Sequence, residues 1–331
     1  MNVSRKFPQS RLRRTRFTSS IRSLVAENSL SVNDLIQPIF VKEDLDGVEN
    51  IDSLPGISRY GLNALDEEIE KIQNNKIKAV AIFPVINPDK KDETGSDSLN
   101  EDNLVCTAIK QIKKNSGLAV IADVALDPYT SHGHDGVLDK NGYVENDKSL
   151  SLLIEQALTL AKAGADMVAP SDMMDGRISG IRDSLESNNF SNTIILSYAA
   201  KYSSKFYGPF RDAVGSSANL GVGSKDTYQM SVANIDEALH EVKMDIEEGA
   251  DIVMVKPGMP YLDVIKAVKD TFKVPTFAYQ VSGEYAMLKA AIENDWLSDE
   301  VMLESLLSFK RAGADCVLTY AANEIAIKLN Q

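Results

Sequence analysis

The sequence has few features that would suggest covalent cross-links or a membrane. Among 331 residues there are two cysteines, Cys106 and Cys316, and they lie far apart. This number excludes a disulfide framework and a thiolate metal site, so we expect a reducing, cytoplasmic compartment. No apolar run approaches the roughly 20 residues that a membrane-spanning helix needs. We therefore expect no segment that crosses a bilayer and no membrane partner.

Acidic residues are absent from the first 26 positions, although the chain as a whole is acidic. This stretch carries seven Lys or Arg residues, whereas the formal net charge is −13, which leaves −20 for the rest. An acidic chain repels nucleic acid, which argues against nucleic acid as the main partner. Three interpretations of the basic N-terminus stay open on composition alone: a nucleic-acid-binding segment, an organelle transit peptide, or an arm that remains on the protein.

Eight short apolar segments, bounded by turn residues, are spaced along the chain. Several run without polar interruption, as in Val253-Met254-Val255, which is typical of strands that helices cover on both faces of a parallel sheet. The predicted strands are Leu35–Val41, Lys78–Pro84, Leu118–Ala125, Ala165–Pro170, Thr193–Tyr198, Ala250–Pro257, Pro275–Val281 and Cys316–Tyr320. Apolar positions recur at three and four in the predicted helices, which are Ser149–Ala163, Ile235–Glu248, Tyr261–Thr271, Tyr285–Asn294 and Asp299–Ala312.

A Gly-Ala-Asp unit occurs three times between a predicted helix and the next strand, starting at Gly164, Gly249 and Gly313. Glycine suits the left-handed residue that closes a helix. The repeated joint and the eight strands predict an α/β fold, a (β/α)8 TIM barrel over residues 31–331 preceded by an extended arm, 1–30. The alternative is a doubly wound open sheet, which is less favoured because no Gly-x-Gly-x-x-Gly follows the first strand.

Two connections are much longer than the few residues usual between a strand and a helix. They span residues 127–148 and 202–234 and are rich in Gly, Ser, Asp and Asn. Barrel enzymes build their sites from the loops after the strands, so both are candidate walls of an active site. We expect an active-site lid within 202–234.

Polar side chains at the carboxyl ends of the predicted strands should meet at one mouth of the barrel. They are Asp123, Ser171, Asp172, Lys201, Lys256, Tyr279, Ser282 and Tyr320. Lys256 lies at the end of a buried predicted strand, where an unpaired lysine is rare. Desolvation and a second ammonium both lower the pKa of such a lysine, and the free amine can attack a ketone. The alternative is that Lys201 and Lys256 pair with carboxylates such as Asp123 or Asp172 and are structural.

Three segments carry a resemblance to a known family. Residues 197–211, Met254-Val255-Lys256-Pro257-Gly258 and 279–285 closely resemble porphobilinogen synthase, also called 5-aminolevulinate dehydratase, and the likeness extends from Arg11 to near the C-terminus. The resemblance implies a lyase of haem synthesis that condenses two 5-aminolevulinate molecules to porphobilinogen with loss of two waters. It also implies that Lys256 forms a Schiff base with the substrate that becomes the propionate side, and that Lys201 holds the other.

The resemblance assigns further roles by position. It implies that Ser282 and Tyr320, with Tyr279 beside them, bind the carboxylate of the first substrate. It gives the second carboxylate to the lid residues Arg211 and Lys225. Arginine suits such a role through bidentate contacts and lysine through its point charge. Asp123 matches a carboxylate that orients a substrate amine or shuttles protons.

Departures from the family pattern bear on metals. Zinc-type members carry three cysteines where this chain has Ala125, Asp127 and Asp135, so we expect no catalytic zinc. Asp127 and Asp135 offer hard oxygen ligands for magnesium or a monovalent cation, or hydrogen bonds to the lid. Glu241, fifteen residues before Lys256, matches the glutamate that holds an allosteric magnesium in many members. The alternative for Glu241 is a solvated charge on a helix.

The resemblance also changes the preferred interpretation of the basic arm. It implies a homo-octamer in which the arm wraps a neighbouring barrel, so that a +7 segment meets a −20 body. Two rival functions remain. One is a class I aldolase, which needs a single Schiff-base lysine, and the other is a nucleic-acid-binding protein that uses the arm.

Overall fold

The computed structural model describes residues 6–215 and 224–330, and its centre is a closed parallel barrel. The strands are β1 Leu35–Lys42, β2 Val48–Asn50, β3 Ser58–Tyr60, β4 Ala79–Val85, β5 Ala119–Val124, β6 Met167–Pro170, β7 Ile194–Lys201, β8 Ile252–Lys256, β9 Thr276–Gln280 and β10 Cys316–Thr319. The eight predicted strands pair in sequence order, and β10 pairs with β1 in parallel register to close the ring. The barrel prediction is confirmed, and the open sheet is wrong.

Helices surround the barrel, except for the first one in the chain, which lies in the N-terminal arm. They are α1 Ser19–Leu24, α2 Leu62–Asn74, α3 Leu104–Asn115, α4 Asn146–Ala163, α5 Arg177–Ser187, α6 Gly208–Ala213, α7 Asp236–Glu248, α8 Leu262–Phe272, α9 Ser282–Glu293, α10 Glu300–Ala312 and α11 Ala322–Leu329. All five predicted helices are present. In the described ranges, 6–215 and 224–330, no helix combines the length and the apolar character that a bilayer span would need.

The short strands β2 and β3 were not predicted. They form an antiparallel pair, and β3 adds to β1 through the parallel partners Phe40–Arg59 and Val41–Tyr60. None of their residues is buried, so they show no apolar alternation in the sequence. This pair lies beside the barrel ring and does not alter its closure.

The Asp of each Gly-Ala-Asp unit ties neighbouring strands together at the amino-terminal end of the barrel. The preceding glycines have φ between 105° and 112°, as the helix-closing position requires. Each Asp accepts one backbone N–H from the preceding strand and one cationic side chain from the helix that leads into that strand. The three sets are Asp166 with Val120 N (2.8 Å) and Lys113, Asp251 with Ile195 N (2.8 Å) and Arg182, and Asp315 with Thr276 N (2.7 Å) and Lys269. We call these three sets the aspartate clamps.

Strand β7 is longer than predicted and contains an irregularity. The prediction ended it at Tyr198, but the strand continues to Lys201, which therefore lies in the strand and not after it. Ser197 pairs with Val253, whereas Lys201 pairs with Lys256, so β7 has one residue more than β8 over this interval. A bulge of this kind redirects the side chains that follow it.

Candidate active site

The carboxyl ends of the strands bring together most of the residues that were predicted to carry chemistry. Lys201 and Lys256 are the last residues of β7 and β8 and are direct register partners. Neighbouring strands lie about 4.8 Å apart, so the two side chains start from adjacent positions. Both are buried, with exposed fractions of 5% and 7%. Two cationic side chains thus share one water-poor mouth.

The ammonium of Lys256 is surrounded by aromatic rings. Its Nζ lies 5.0–5.2 Å from four ring centroids, which belong to Tyr198, Tyr207, Phe210 and Tyr279. No carboxylate of the described residues forms an ion pair with it. Burial, followed by repulsion from Lys201, lowers the pKa of Lys256 to about 7. At pH 7, about half of the molecules therefore carry Lys256 as a neutral amine.

Lys201 has polar partners that Lys256 lacks. Its Nζ donates to the carbonyl oxygen of Ser171 and lies 3.3 Å from Oδ1 of Asp135. The structural alternative expected a carboxylate partner for this lysine, such as Asp123 or Asp172, and among the described residues that partner is Asp135. The carboxylate comes instead from the loop after β5, which sequence spacing did not connect with Lys201.

Asp123 is a partly buried residue on β5 whose carboxyl group the two lysines influence from a distance. Its Oδ1 has no hydrogen-bond partner among the described residues. Burial raises the pKa of Asp123 to about 7, although the charges of Lys256 and Lys201 oppose that rise. Asp123 and Lys256 therefore titrate in the same pH range, which is the condition for proton exchange at neutral pH.

Lys225 joins the second half of the lid region to the loop after β5. Its Nζ lies 2.6 Å from Oδ2 of Asp135 and 3.0 Å from Oδ2 of Asp127. Tyr228 also donates its hydroxyl to Asp135, at 2.8 Å. Burial alone would raise the pKa of Asp135, but Lys201 and Lys225 overcome that effect and hold it well below its usual range. The two aspartates at the cysteine positions therefore bind a lid lysine.

The part of the predicted lid that leads to Lys225 includes residues 216–223, which lie outside the described residues. The earlier part forms a short 3-10 turn, Lys205–Tyr207, followed by α6, which carries Arg211. Ser282, the first residue of α9, accepts a hydrogen bond from the backbone N–H of Phe210 at 2.9 Å. The base of the lid is thus fastened to the start of α9.

Tyr279 and Tyr320 form a pair of buried hydroxyl groups next to Lys256. Their oxygens are 2.8 Å apart, and Tyr320 stacks on Phe40 of β1. Both side chains are at most 2% exposed. Together with Ser282 they place three hydroxyl groups on the β9–β10 side of the mouth, whereas Arg211 and Lys225 belong to the lid.

A comparison with known sequences decides the family. The family model for delta-aminolevulinic acid dehydratase matches residues 9–328. This chain belongs to the delta-aminolevulinic acid dehydratase family.

Curated dehydratases of the same name are similar over nearly their whole length. The enzyme from Bradyrhizobium diazoefficiens is 53% identical over 96% of this chain and 90% of its own. That from Methanothermus sociabilis is 53% identical over 97% of this chain and 98% of its own. Among solved structures, the dehydratase of Toxoplasma gondii in complex with its product porphobilinogen has a TM-score of 0.94 at 48% identity, covering 97% of this chain and 91% of that one.

The residue of this dehydratase family member that was predicted to hold magnesium, Glu241, lies away from the lysines. It faces a cavity of about 390 Å³ whose lining includes Asp175, Asp226 and Glu237. Burial raises the pKa of Glu241 to about 7, and the carboxylates of Asp245, Asp175 and Glu237 add to that rise against the attraction of Arg177. A pocket in which carboxylates repel one another fits a hydrated cation.

In the two described ranges, no three His, Cys, Asp or Glu side chains converge as a ready-made metal cluster. Magnesium usually keeps several waters and takes one or two carboxylates from the protein, so Glu241 remains a suitable ligand. The expectation about zinc stays a prediction. Ala125 offers no ligand, and the carboxylates of Asp127 and Asp135 are engaged by lysines.

Sequence reasoning missed several residues that shape the mouth. Tyr198, Tyr207 and Phe210 surround the Lys256 amine, and Tyr228 buttresses Asp135. In the sequence these aromatic residues lie close to Lys201. We therefore expected them to pack in the lid and did not expect them to surround Lys256. Glu284 was also missed, because a glutamate in the first turn of a helix, here α9, is typical of ordinary helix capping.

Proposed function

We propose that this chain is a porphobilinogen synthase. It condenses two 5-aminolevulinate molecules to porphobilinogen with loss of two waters, through Schiff bases on Lys256 and Lys201. The observation that carries the proposal is the register-matched lysine pair at the barrel mouth, in which Lys256 has a pKa of about 7. Family membership over residues 9–328 supplies the substrate.

The chemistry begins with the neutral amine of Lys256. It attacks the ketone carbon of one substrate, a C–N bond forms, and the carbonyl oxygen leaves as water. The resulting iminium withdraws electrons from the neighbouring carbon, whose proton can then leave to a base. Each of the four rings around Nζ can stabilise the iminium cation, by about 0.5–2 kcal/mol. An ordinary lysine, protonated at pH 7, would not start this sequence.

The second substrate is held beside the first. Lys201 supplies the second amine, and Asp123, with a pKa near 7, can take a proton from one substrate and return it to another. The hydroxyls of Ser282, Tyr320 and Tyr279 suit the first carboxylate. Arg211 and Lys225 suit the second, although Lys225 must then share its charge with Asp127 and Asp135.

We further propose that Glu241 holds an allosteric magnesium ion and that no zinc takes part in catalysis. Magnesium would supply positive charge to the Glu241 cavity, which lies apart from the two lysines. The supporting observation is the cavity beside Glu241, whose lining also includes the carboxylates of Asp175, Asp226 and Glu237. Activity should survive removal of zinc, and stimulation by magnesium should disappear in Glu241→Ala. Recovery of a chelated enzyme with zinc alone would contradict both statements.

The N-terminal arm supports assembly. Residues 6–26 form hydrogen bonds only with one another in the described part of the chain. Phe7, Phe17 and Leu24 are exposed by 74–86%, an apolar surface that a neighbouring subunit would cover. We propose a cytoplasmic homo-octamer built through this arm. Deletion of residues 1–26 should reduce the oligomer in size measurements, whereas an unchanged oligomer would refute the role of the arm.

The decisive experiment is borohydride trapping with 5-aminolevulinate, followed by peptide mass mapping. We expect reduced adducts on Lys256 and on Lys201, together with pyrrole formation in the untreated enzyme. An adduct on one lysine only would favour a class I aldolase. Salt-sensitive binding of nucleic acid that vanishes on deletion of residues 1–26 would favour the nucleic-acid alternative.

A further inference from the structure

Glu284 is a buried glutamate that the reaction scheme above does not use. It lies in the first turn of α9 and is completely inaccessible to solvent. Among the described residues it forms no ion pair, and its carboxylate instead accepts three backbone hydrogen bonds. An ionised carboxylate without a cation is costly to bury, so its position calls for a specific explanation.

The three hydrogen bonds come from two different loops. Oε2 accepts from Val281 N at 2.6 Å and from Gly258 N at 3.3 Å, and Oε1 accepts from Met259 N. Val281 precedes Ser282, and Gly258 follows Lys256 by two residues. One carboxylate therefore joins the loop that follows Lys256 at the end of β8 to the loop residue that directly precedes Ser282 at the start of α9.

The two loops are packed closely where Glu284 joins them. A Cβ added to Gly258 would lie 2.2 Å from the ring of Phe309 and 3.0 Å from the carbonyl oxygen of Tyr279. The backbone at this position therefore has little room to move towards β9. Burial raises the pKa of Glu284 to about 7, although the three N–H groups oppose the rise, so the carboxylate depends on these donors for its charge.

We propose that Glu284 is a positioning residue, which sets the distance between the Lys256 amine and the Ser282 hydroxyl by holding their two loops together. This inference rests on the proposed function, because it assumes that Lys256 attacks a ketone whose carboxylate Ser282 binds. A group placed wrongly by about 1 Å can reduce a rate about 100-fold, so such a tie has a direct kinetic consequence.

The test compares two ketones on Lys256. Levulinate has a carboxylate that Ser282 can bind, and pentan-2-one has none. Each forms a Schiff base when its carbonyl oxygen leaves as water, and borohydride then delivers hydride to the imine carbon. The rates of adduct formation on Lys256 are measured by peptide mass mapping. In the unmodified chain levulinate should react much faster than pentan-2-one.

Glu284→Asp keeps the charge but shortens the side chain, so the carboxylate no longer spans from α9 to Gly258 and Met259. We expect the levulinate-to-pentan-2-one rate ratio to fall at least tenfold, with little change for pentan-2-one. The matched control is Glu68→Gln, which alters a buried glutamate of α2 that bonds to Asn323 and Lys71. Its ratio should stay as in the unmodified chain.

Each outcome of this test either supports or overturns the inference. An unchanged ratio in Glu284→Asp overturns the inference, whether both rates stay the same or fall together through a general loss of structure. If Glu284→Asp does not fold, Glu284→Gln, which keeps the length and one accepting oxygen, is measured in its place with the same expected direction. Absence of any Lys256 adduct in the unmodified chain would instead refute the proposed function.

Discussion

The two ends of the barrel use the same residue types in opposite ways. At the amino-terminal end, each aspartate clamp pairs a carboxylate with Lys or Arg, and the carboxylates are 37–48% exposed. At the carboxyl end, Lys256 is buried and forms no ion pair among the described residues. Each clamp cation has a carboxylate partner, whereas burial and repulsion from Lys201 lower the pKa of Lys256 to about 7. The comparison indicates that its surroundings, and not its residue type, suit Lys256 to the nucleophilic role proposed above.

The largest effect should come from replacing the reactive lysine. In Lys256→Met we expect pyrrole formation to fall by at least about 1,000-fold, because the nucleophile is lost. Thermal stability should be unchanged or higher, since an unpaired buried ammonium is replaced by an apolar side chain. The matched control is Lys269→Met at the opposite end, which should keep its activity and lose stability. Equal activity losses in both variants would contradict the claim that Lys256 serves catalysis and Lys269 serves only stability.

Removing the second lysine should shift the titration of the first. Adduct formation between levulinate and Lys256 should increase with pH, with an inflection near pH 7, because only the neutral amine attacks. In Lys201→Met the inflection should move to higher pH, because the repulsion that lowers the pKa of Lys256 is gone. The measurement is the initial rate of trapping between pH 5 and 10. An inflection above pH 9 in the unmodified chain would contradict the proposed activation of Lys256.

The buried ion pairs of Asp135 with Lys201 and Lys225 should contribute more to the free energy of unfolding than any aspartate clamp. Asp135→Asn leaves Lys201 and Lys225 without their shared carboxylate, and a broken buried pair costs about 3–5 kcal/mol. The folded pKa of Asp135 lies below its unfolded value, so its stabilisation is present above about pH 4 and is lost as the pH falls below that. Urea unfolding at pH 7 and at pH 3 should therefore show a smaller difference between variant and parent at the lower pH. A constant difference would show that the charge of Asp135 is not responsible.

The smallest effect should come from a clamp. Asp251→Asn keeps an oxygen for the backbone N–H of Ile195 but loses the charge that binds Arg182. Because this ion pair is partly exposed, we expect a loss of about 1 kcal/mol or less in the free energy of unfolding. Catalytic activity should not change. A loss of activity with full stability would mean that the two ends of the barrel are coupled.

The barrel itself was predictable because its strands are continuous apolar runs. Val253-Met254-Val255 has this pattern, and β8 lies within the predicted segment. The end of β7 was not predictable in the same way, since Ala199 and Ala200 have no strong strand preference and Lys201 resembles a loop residue. Its position depends on pairing with β8, which is a tertiary effect.

The sequence predicted that Lys201 and Lys256 meet at the barrel mouth, and they do, but it did not predict the pairing of charges around them. Asp135 contacts Lys201 across 66 residues of chain and Lys225 across 90, and no local pattern marks such contacts. Glu284 shows the same limitation. Its bond to Val281 belongs to local helix capping, whereas its bonds to Gly258 and Met259 appear only when two loops are placed side by side.

Because β7 has one extra residue, its pairing with β8 determines how many amines lie at the barrel mouth. Ser197 points to the helix layer, where it bonds to Asp245. Lys201 is four positions later, and in a regular strand it would point the same way, with Ala200 opposite Lys256. The irregular pairing turns Lys201 inward instead. A slip to regular pairing would thus leave the sequence intact and the barrel closed, yet convert a two-amine site into a one-amine site.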